Sequence, residues 1–426
     1  MTTTGHAGHF LPLVPFARAC LRAGHDVRVA APRSRGEIVE RTGLELEACA
    51  DPAEEDLARL VASLADRSPR DGHAHMMSEG FARVAARAVL PDVLEIVGTW
   101  RPDVVVRESQ EYAGALAAER ARIPHVRVAL GLAAQEDRTL TTAAPAVDEL
   151  RAELDLPRDP DAAALRGSPY LTLVPAALED PRGRGPRATH RFSERRDGTR
   201  PPATPPDRWD GAGGPLVYLT FGSVAGLLGL FPRVYRAAIE ALAAVPARVL
   251  VTIGEDAEPG ALGPLPPNVH VERWLPQGAI VEHAAAVVCH GGYGSVLGAL
   301  AAGVPVVALP IFADDQWLNA RRVAELSAGI ALDGDSRPGR RMLDGPGPAE
   351  FAELADAVET VIGDPRYRRA ARGIASAIAA LPPVDAAVEV LHDRLRGPAP
   401  ARARRNQPQR RPVSSGEHSI RPRRNT

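Results

Sequence analysis

Apolar side chains in the first 130 residues recur in two different rhythms. Leu13, Phe16, Ala17, Cys20 and Leu21 repeat at helical spacing within Phe10–Leu21, and Gly24 follows as a C-terminal cap. Val27–Ala31 is instead a compact apolar run closed by Pro32, which reads as a buried strand. Val104–Val106 and Val126–Leu130 repeat that strand pattern, with a helix predicted between them from about Glu111 to Arg122. From about Asp180 to Gly214 the period is lost in a stretch of Arg, Pro and Gly that includes TRPPATPPDRWDGAGG. The alternation then resumes. Strands are predicted at Leu216–Phe221, Arg248–Ile253, Ala286–Cys289 and Val304–Leu309, with helices at Phe231–Ala244 and about Ser295–Ala302. Strands alternating with helices predict parallel sheets covered on both faces. The fold class is therefore α/β, with two Rossmann-like, doubly wound domains and a ligand cleft between the carboxyl ends of their sheets. The expected division is 1–182, a linker at 183–213, a second domain at 214–396, and a tail at 397–426.

One element is missing from this pattern. The first strand of a doubly wound sheet is central, yet only Met1–Gly8 precede the first helix, without an apolar β-branched run. Three or four buried aliphatic side chains at about 1.5–3 kcal/mol each would be lost, a loss comparable with the net stability of a domain. The expectation is a truncated first strand, the true chain starting several residues upstream.

Composition narrows the class. Hydrophobic residues at 45% and charged residues at 24% are ordinary for a globular protein with sizeable cores. The formal net charge of -2 gives no indication of a nucleic-acid partner. The tail from Gly397 carries eight Arg and one Glu, a net +7 that leaves -9 for the body, and it is expected to be disordered. Cys20, Cys49 and Cys289 are an odd number set far apart in apolar surroundings, so no disulfide framework is expected and a reducing cytoplasm is. No apolar run approaches the ~18 residues of a membrane span.

The chemistry concentrates in Val287–Ala320, VVCHGGYGSVLGALAAGVPVVALPIFADDQWLNA. It reads as a strand, a glycine-rich turn, a helix start and a second strand. Gly291, Gly292 and Gly294 allow close backbone approach to a ligand. Ser295 is placed to cap the helix and to offer its hydroxyl outward. The free N–H groups of a helix start suit a pyrophosphate, with His290 beside them. A dehydrogenase fits the sequence poorly, because no GxGxxG follows a strand.

The motifs HGGYGS, GVP and DQWLNA at this spacing, with RWLPQGAI (Arg273–Ile280) and LTFGS (Leu219–Ser223) upstream, resemble the donor signature of GT-B nucleotide-sugar-dependent glycosyltransferases. The resemblance covers most of residues 215–333 and is to the UDP-glycosyltransferase-like family, closest in look to actinobacterial antibiotic and macrolide (calicheamicin-type) members. It implies that Trp274 stacks on the nucleobase, unless it is plain core, and that Gln277 bonds the base edge, chiefly through backbone atoms. It implies that His290, Gly292, Gly294, Ser295 and Ser223 contact the diphosphate, and that Asp315 and Gln316 hold sugar hydroxyls. Asp314 competes with Asp315 by adjacency, but the spacing to Asn319 and Ala320 favours Asp315. Where the plant pattern has a ribose-binding Glu, this chain has Gly298, which favours a dTDP-sugar over a UDP-sugar.

The opening GHFLP, Gly8–Pro12, resembles the motif that carries the family's catalytic base, here His9. An imidazole is well matched to removing an alcohol proton near neutral pH. An imidazolium gains from a carboxylate on its other nitrogen. Glu108, after Val104–Val106, stands where many members have Asp, and Glu111 competes with it. His73 and His75 have metal-like spacing but lack a ligand framework, so no metal is expected. Met76, Met77 and Phe81 line either an acceptor pocket or the core. Together these imply an inverting, metal-independent glycosyltransferase with no cofactor beyond the nucleotide-sugar co-substrate. The acceptor would be a small-molecule natural product such as a polyketide. A GT-B nucleotide-sugar epimerase and a weakly active donor-binding helper are the alternatives.

Overall fold

Two parallel sheets carry the molecule, described in a computed structural model for residues 1–183, 185–194, 213–226, 228–332 and 339–396. The first contains β1 (Arg28–Pro32), β2 (Glu45–Cys49), β3 (Val105–Glu108), β4 (His125–Val128), β5 (Tyr170–Thr172) and β6 (Thr189–Arg191). The second contains β7 (Leu216–Thr220), β8 (Arg248–Thr252), β9 (Val269–Glu272), β10 (Ala284–Cys289), β11 (Val306–Ala308) and β12 (Gly329–Ala331). Its order is β12-β11-β10-β7-β8-β9, so the winding reverses between β7 and β10. Alternate residues bury opposite faces, as a doubly covered sheet requires. Val217, Leu219, Val249, Val251 and Val288 enter one core, whereas Leu216, Tyr218, Leu250, Val287 and Cys289 enter the other.

The centre of the first sheet is occupied by a stub rather than left vacant. Thr2 bridges Ala30 of β1 on one side and Arg107 of β3 on the other, both in parallel. The Thr2 N–H donates to Val106 O at 3.0 Å, and Ala30 N donates to Met1 O at 2.8 Å. The sheet thus runs β2-β1-(Met1–Thr3)-β3-β4-β5-β6 and reverses at the stub. Hydroxyls replace the expected aliphatics: buried Thr2 donates to Glu111 Oε2, and Thr3 Oγ1 accepts from Gly5 N at 3.1 Å.

Two expected boundaries are corrected. Residues 189–191, assigned to the linker, form β6 and close the sheet edge against β5. The end of the second domain also crosses back. Val384, Ala387, Val388 and Leu391 pack in the first domain's core with Leu13, Phe16 and Val126, and Arg22 pairs with Asp385 at 2.7 Å. The expected linker's remainder at 195–212 and the basic tail at 397–426 lie outside the described residues. All three cysteines are free and buried. No helix among the described residues is long and apolar enough to cross a membrane.

The domains meet along an apolar seam. Leu132, Val174 and Leu178 of the first domain join the core formed by Val296, Leu300 and Leu318 of the second.

Candidate functional site

At the first sheet's reversal point the chain leaves the stub through Thr4 and Gly5 and enters a short helix, Ala7–Phe10, that carries His9. Glu108 ends the adjacent β3 with its side chain fully buried, and its Oε1 lies 3.0 Å from His9 Nδ1. The carboxylate is fixed on every side. Thr4 Oγ1 donates to Oε1 at 3.1 Å, and Gln110 N donates to Oε2 at 2.6 Å. Arg107, fully buried, ties the following turn by donating from Nη1 to the carbonyls of Glu108, Ser109 and Glu111 at 3.1, 3.0 and 2.8 Å.

Glu111 is turned elsewhere. It accepts from Thr2 Oγ1 and from Gly114 N at 3.0 Å, so it holds the stub and starts a helix. Burial pushes its carboxyl above the usual range. Of the two candidate carboxylates, Glu108 is the one that reaches the His9 ring.

His9 Nε2 has no hydrogen-bond partner among the described residues, and the side chain stays 18% exposed. Phe81 packs beside it with ring centroids 4.9 Å apart. Phe81 lies in Met76–Ala85, a stretch wound as a π-helix between α-helices, a distortion frequent at functional sites. Of the other two acceptor candidates, Met77 is buried core, whereas Met76 packs on the second domain's core.

The second sheet presents its own reversal point at the ends of β7 and β10. His290 follows β10, its ring slotted between two glycines. A Cβ on Gly222 would stand 2.8 Å from the imidazole Cε1, and one on Gly292 would stand 2.4 Å from Nε2. Phe312 stacks on the ring at 6.1 Å. Burial lowers the His290 pKa to about 4, opposed by the backbone at Thr220, so the ring is neutral at pH 7. Gly291 turns with φ +82°, and its missing Cβ lets the backbone of Gln316 approach. Asn319 Nδ2 ties this turn by donating to Gly291 O at 2.9 Å.

The helix Tyr293–Ala301 starts directly after this turn. Its first internal bond runs from Val296 N to Gly292 O at 3.1 Å, which leaves the N–H groups of Tyr293, Gly294 and Ser295 without helical acceptors. The expected cap is corrected: Gly292 occupies the N-cap and Ser295 is the third helical residue. A Cβ on Gly294 would meet nothing within 4 Å, so no steric demand requires glycine there. Ser223 is exposed just beyond β7.

Trp274 is 55% exposed beyond β9, which removes the core reading. Gln277 turns its side-chain amide into the protein, within 3.4 Å of the carbonyls of Gly294 and Ser295. It fills the space a Cβ on Gly298 would enter, 2.7 Å from Gln277 Nε2. Gln316 Oε1 is likewise committed inward, accepting from Ile311 N and Phe312 N at 2.9 and 3.1 Å. That bond shapes the loop ahead of Asp315.

Asp315 stands at the start of the helix Asp314–Glu325 and faces the first domain. Burial raises its pKa, while His73 and His9 both pull it down, so each histidine is within electrostatic reach of this carboxyl. Asp314 is separately engaged by Arg138, with Nη1 3.6 Å from Oδ2. The two histidines with metal-like spacing diverge. His73 Nδ1 lies 3.9 Å from Asp315 Oδ1, whereas His75 Nε2 meets Ser63 Oγ at 2.8 Å. Among the described residues no group of three or more His, Cys, Asp and Glu converges. His73 escaped sequence reasoning because its partners come from two other segments. Its only signal was the HAH spacing, which points to metal.

A diphosphate needs main chain that can approach it closely, and an acceptor alcohol needs a base. Two such parallel-sheet domains, each with its candidate residues at the sheet's reversal point, form the fold of a GT-B glycosyltransferase. Comparison with known proteins agrees. The family description "Erythromycin biosynthesis protein CIII-like" matches in both halves, its N-terminal domain at residues 18–166 and its C-terminal domain at 236–393. The chain belongs to this family of antibiotic glycosyltransferases. It is 31% identical over 409 residues to the L-demethylnoviosyl transferase of Streptomyces niveus, covering 94% of this chain and 99% of that protein. The structure of the glycosyltransferase VinC in complex with dTDP aligns with a TM-score of 0.67 at 25% identity, covering 93% of this chain and 98% of that one. That of CalG4, the calicheamicin glycosyltransferase, aligns at 0.70 and 24%, covering 94% and 98%. Transfer of a glycosyl group, rather than epimerisation or a helper role, is therefore the activity.

Proposed function

We propose that this enzyme transfers a sugar, of the deoxysugar type, from dTDP to a hydroxyl of a natural product such as a polyketide, with inversion and without a metal. The observation that carries the reading is the His9–Glu108 pair at 3.0 Å, with His9 in electrostatic reach of Asp315 on the domain that holds the His290 turn. Glu108 holds the proton on Nδ1, so Nε2 carries the lone pair. The acceptor O–H gives its proton to His9 Nε2 as its oxygen attacks the anomeric carbon. The bond from that carbon to the diphosphate oxygen breaks, and the diphosphate leaves with the electron pair. Attack from the face opposite the leaving group inverts the anomeric centre.

The departing charge meets the N–H groups of Tyr293, Gly294 and Ser295, with Ser223 and neutral His290 as further donors. Trp274 offers its exposed face to the base, Gln277 shapes that side from within, and Asp315 accepts from sugar hydroxyls, with Gln316 shaping its loop. Gly298, which supplies no ribose carboxylate, supports a 2′-deoxy nucleotide, as does the dTDP bound by VinC.

The test is to incubate purified protein with dTDP- and UDP-sugars and a panel of polyketide alcohols, with and without EDTA. Glycoside is followed by mass spectrometry and its anomeric configuration by NMR. Product of retained configuration, or turnover abolished by EDTA and restored by a divalent cation, would overturn the mechanism.

A further inference from the structure

The cleft holds a polar contact that the transfer chemistry above leaves unused. The short helix Pro69–His75 of the first domain is pressed against the second. Met342 N donates to Arg67 O at 2.8 Å, and Arg341 pairs with Asp66 at 2.8 Å. Gly72 lets the helix approach so closely that a Cβ there would stand 2.3 Å from the Met342 sulfur. These contacts aim His73 at the helix that begins with Asp314 and Asp315.

Behind His73, Gln135 Nε2 lies 2.9 Å from the imidazole Nε2. An amide N–H can only donate, so His73 Nε2 accepts and the neutral ring keeps its proton on Nδ1. That N–H points towards Asp315 Oδ1 at 3.9 Å. With the amide turned over, Nε2 would carry the proton and the Nδ1 lone pair would face a carboxylate, so the electrostatics select the orientation described. The 3.9 Å separation is longer than a direct hydrogen bond and is a span that a single water can bridge. Arg138, on the same helix as Gln135, engages Asp314. Asp315 is left as the carboxylate free to meet substrate.

We propose that His73, held by Gln135, is a positioning residue for the donor sugar: it orients the Asp315 carboxylate from across the cleft, so the acceptor domain takes part in reading the sugar's hydroxyls. The proposal rests on the transfer reading above and extends it. It assigns Asp315 an orientation that the donor domain alone does not supply.

The experiment uses the full chain and separates nucleotide from sugar. The dissociation constant of dTDP alone is measured by calorimetry, and KM and kcat are measured for a dTDP-hexose, in wild type, His73→Ala, Asp315→Asn and the double variant. His73→Ala is expected to raise KM for the dTDP-hexose about 10-fold, the order of one charge-assisted hydrogen bond. The dTDP dissociation constant should stay within about twofold. Because both residues serve one contact, the double variant should lose no more than Asp315→Asn alone. Equal weakening of dTDP and dTDP-hexose, no effect on either, or multiplying losses in the double variant would each overturn the proposal. Should His73→Ala fail to fold, Gln135→Ala, which frees the ring to turn, is read by the same split. A wild-type protein that binds no nucleotide sugar overturns the transfer reading and this proposal with it. Normal wild-type binding without the split overturns this proposal alone.

Discussion

His9 and Glu108 are separated by 99 positions in the chain, yet their side chains meet at 3.0 Å because each stands at the same reversal point of one sheet. The stub Met1–Thr3 delivers His9 from one side and β3 delivers Glu108 from the other, held in register by Thr2 between Ala30 and Arg107. A bond from Gln110 N and one from Thr4 Oγ1 fix the carboxylate, so the histidine is oriented by a group that is itself immobile.

Removing the base should therefore separate chemistry from binding. His9→Ala is expected to lower kcat by about 10²–10⁴-fold, the usual contribution of a positioned base, with the dTDP dissociation constant unchanged. Glu108→Gln is the sharper test. Its amide can donate to Nδ1, which forces the proton onto Nε2 and removes the lone pair the acceptor needs. It should damage kcat even though its size and its bond from Gln110 N are kept. Glu108→Gln with wild-type kcat would remove Glu108 from the mechanism.

The glycine slot makes a separate claim. Gly292→Ala would drive a methyl group to 2.4 Å from the His290 ring and should both lower Tm and weaken dTDP binding. Gly294→Ala meets no atom within 4 Å and should leave Tm unchanged or raised, because alanine has less freedom to lose on folding than glycine, worth about 0.4–1 kcal/mol. If Gly294 lies against the diphosphate, the same variant loses donor affinity without loss of stability. Thermal melts with and without dTDP measure both. Equal tolerance of the two substitutions would mean that the His290 ring is not confined.

How far the sequence revealed this molecule depended on whether the information was contiguous. The second domain was legible because β7, β8, β10 and β11 are continuous apolar runs and the HGGYGS-to-DQWLNA segment is one stretch of chain. β2, β5, β6, β9 and β12 were not read. Glu45–Cys49 alternates charged with apolar residues, and the others are runs of three or four residues, too short for a period. The central stub Met1–Thr3 was not read for a different reason: Thr2 and Thr3 are buried through hydroxyl bonds, which an apolar pattern cannot signal. The resemblance suggested an outward role for the Gln316 side chain, but it satisfies nearby backbone groups, as the Gln277 side chain does, a choice set by local geometry. His73 depends on Gln135 and Asp315, which no local motif joins to it.

Acid should destabilise the protein in part through His125. This β4 residue is 6% exposed, and burial, with Arg107 nearby, lowers its pKa from 6.5 to about 3. Above pH 6.5 the ring is neutral folded and unfolded, so it adds no pH dependence. Below that, the unfolded chain binds a proton that the folded protein refuses, and stability falls with pH by about 1.4 kcal/mol per unit. Buried Glu111 and Glu136, whose pKa values are raised chiefly by burial, act in the opposite sense and are common to both proteins compared. Urea melts of wild type and His125→Gln between pH 7 and 5 isolate the term: the variant should show the shallower loss. Parallel curves would mean that the buried ring keeps its proton.

Base and ribose recognition can be tested at one position. Gly298 lies on the helix that starts at the His290 turn, and the far end of Gln277 fills the space above it. A carboxylate there would accept from ribose hydroxyls, of which UDP offers two and dTDP one. The clash of a new Cβ with Gln277 Nε2 at 2.7 Å involves the tip of a flexible side chain, which can swing aside. Wild type is expected to prefer dTDP-glucose over UDP-glucose in kcat/KM. Gly298→Glu should shift that ratio towards UDP by about 10-fold, one hydrogen bond to a charged group. Trp274→Ala should weaken both donors alike, by the ~1–3 kcal/mol of a lost stacking platform. The two variants thus divide recognition into a term that is blind to the sugar ring and one that reads it. A wild-type preference for UDP-glucose would place ribose selection elsewhere and leave the glycine as mere clearance for Gln277.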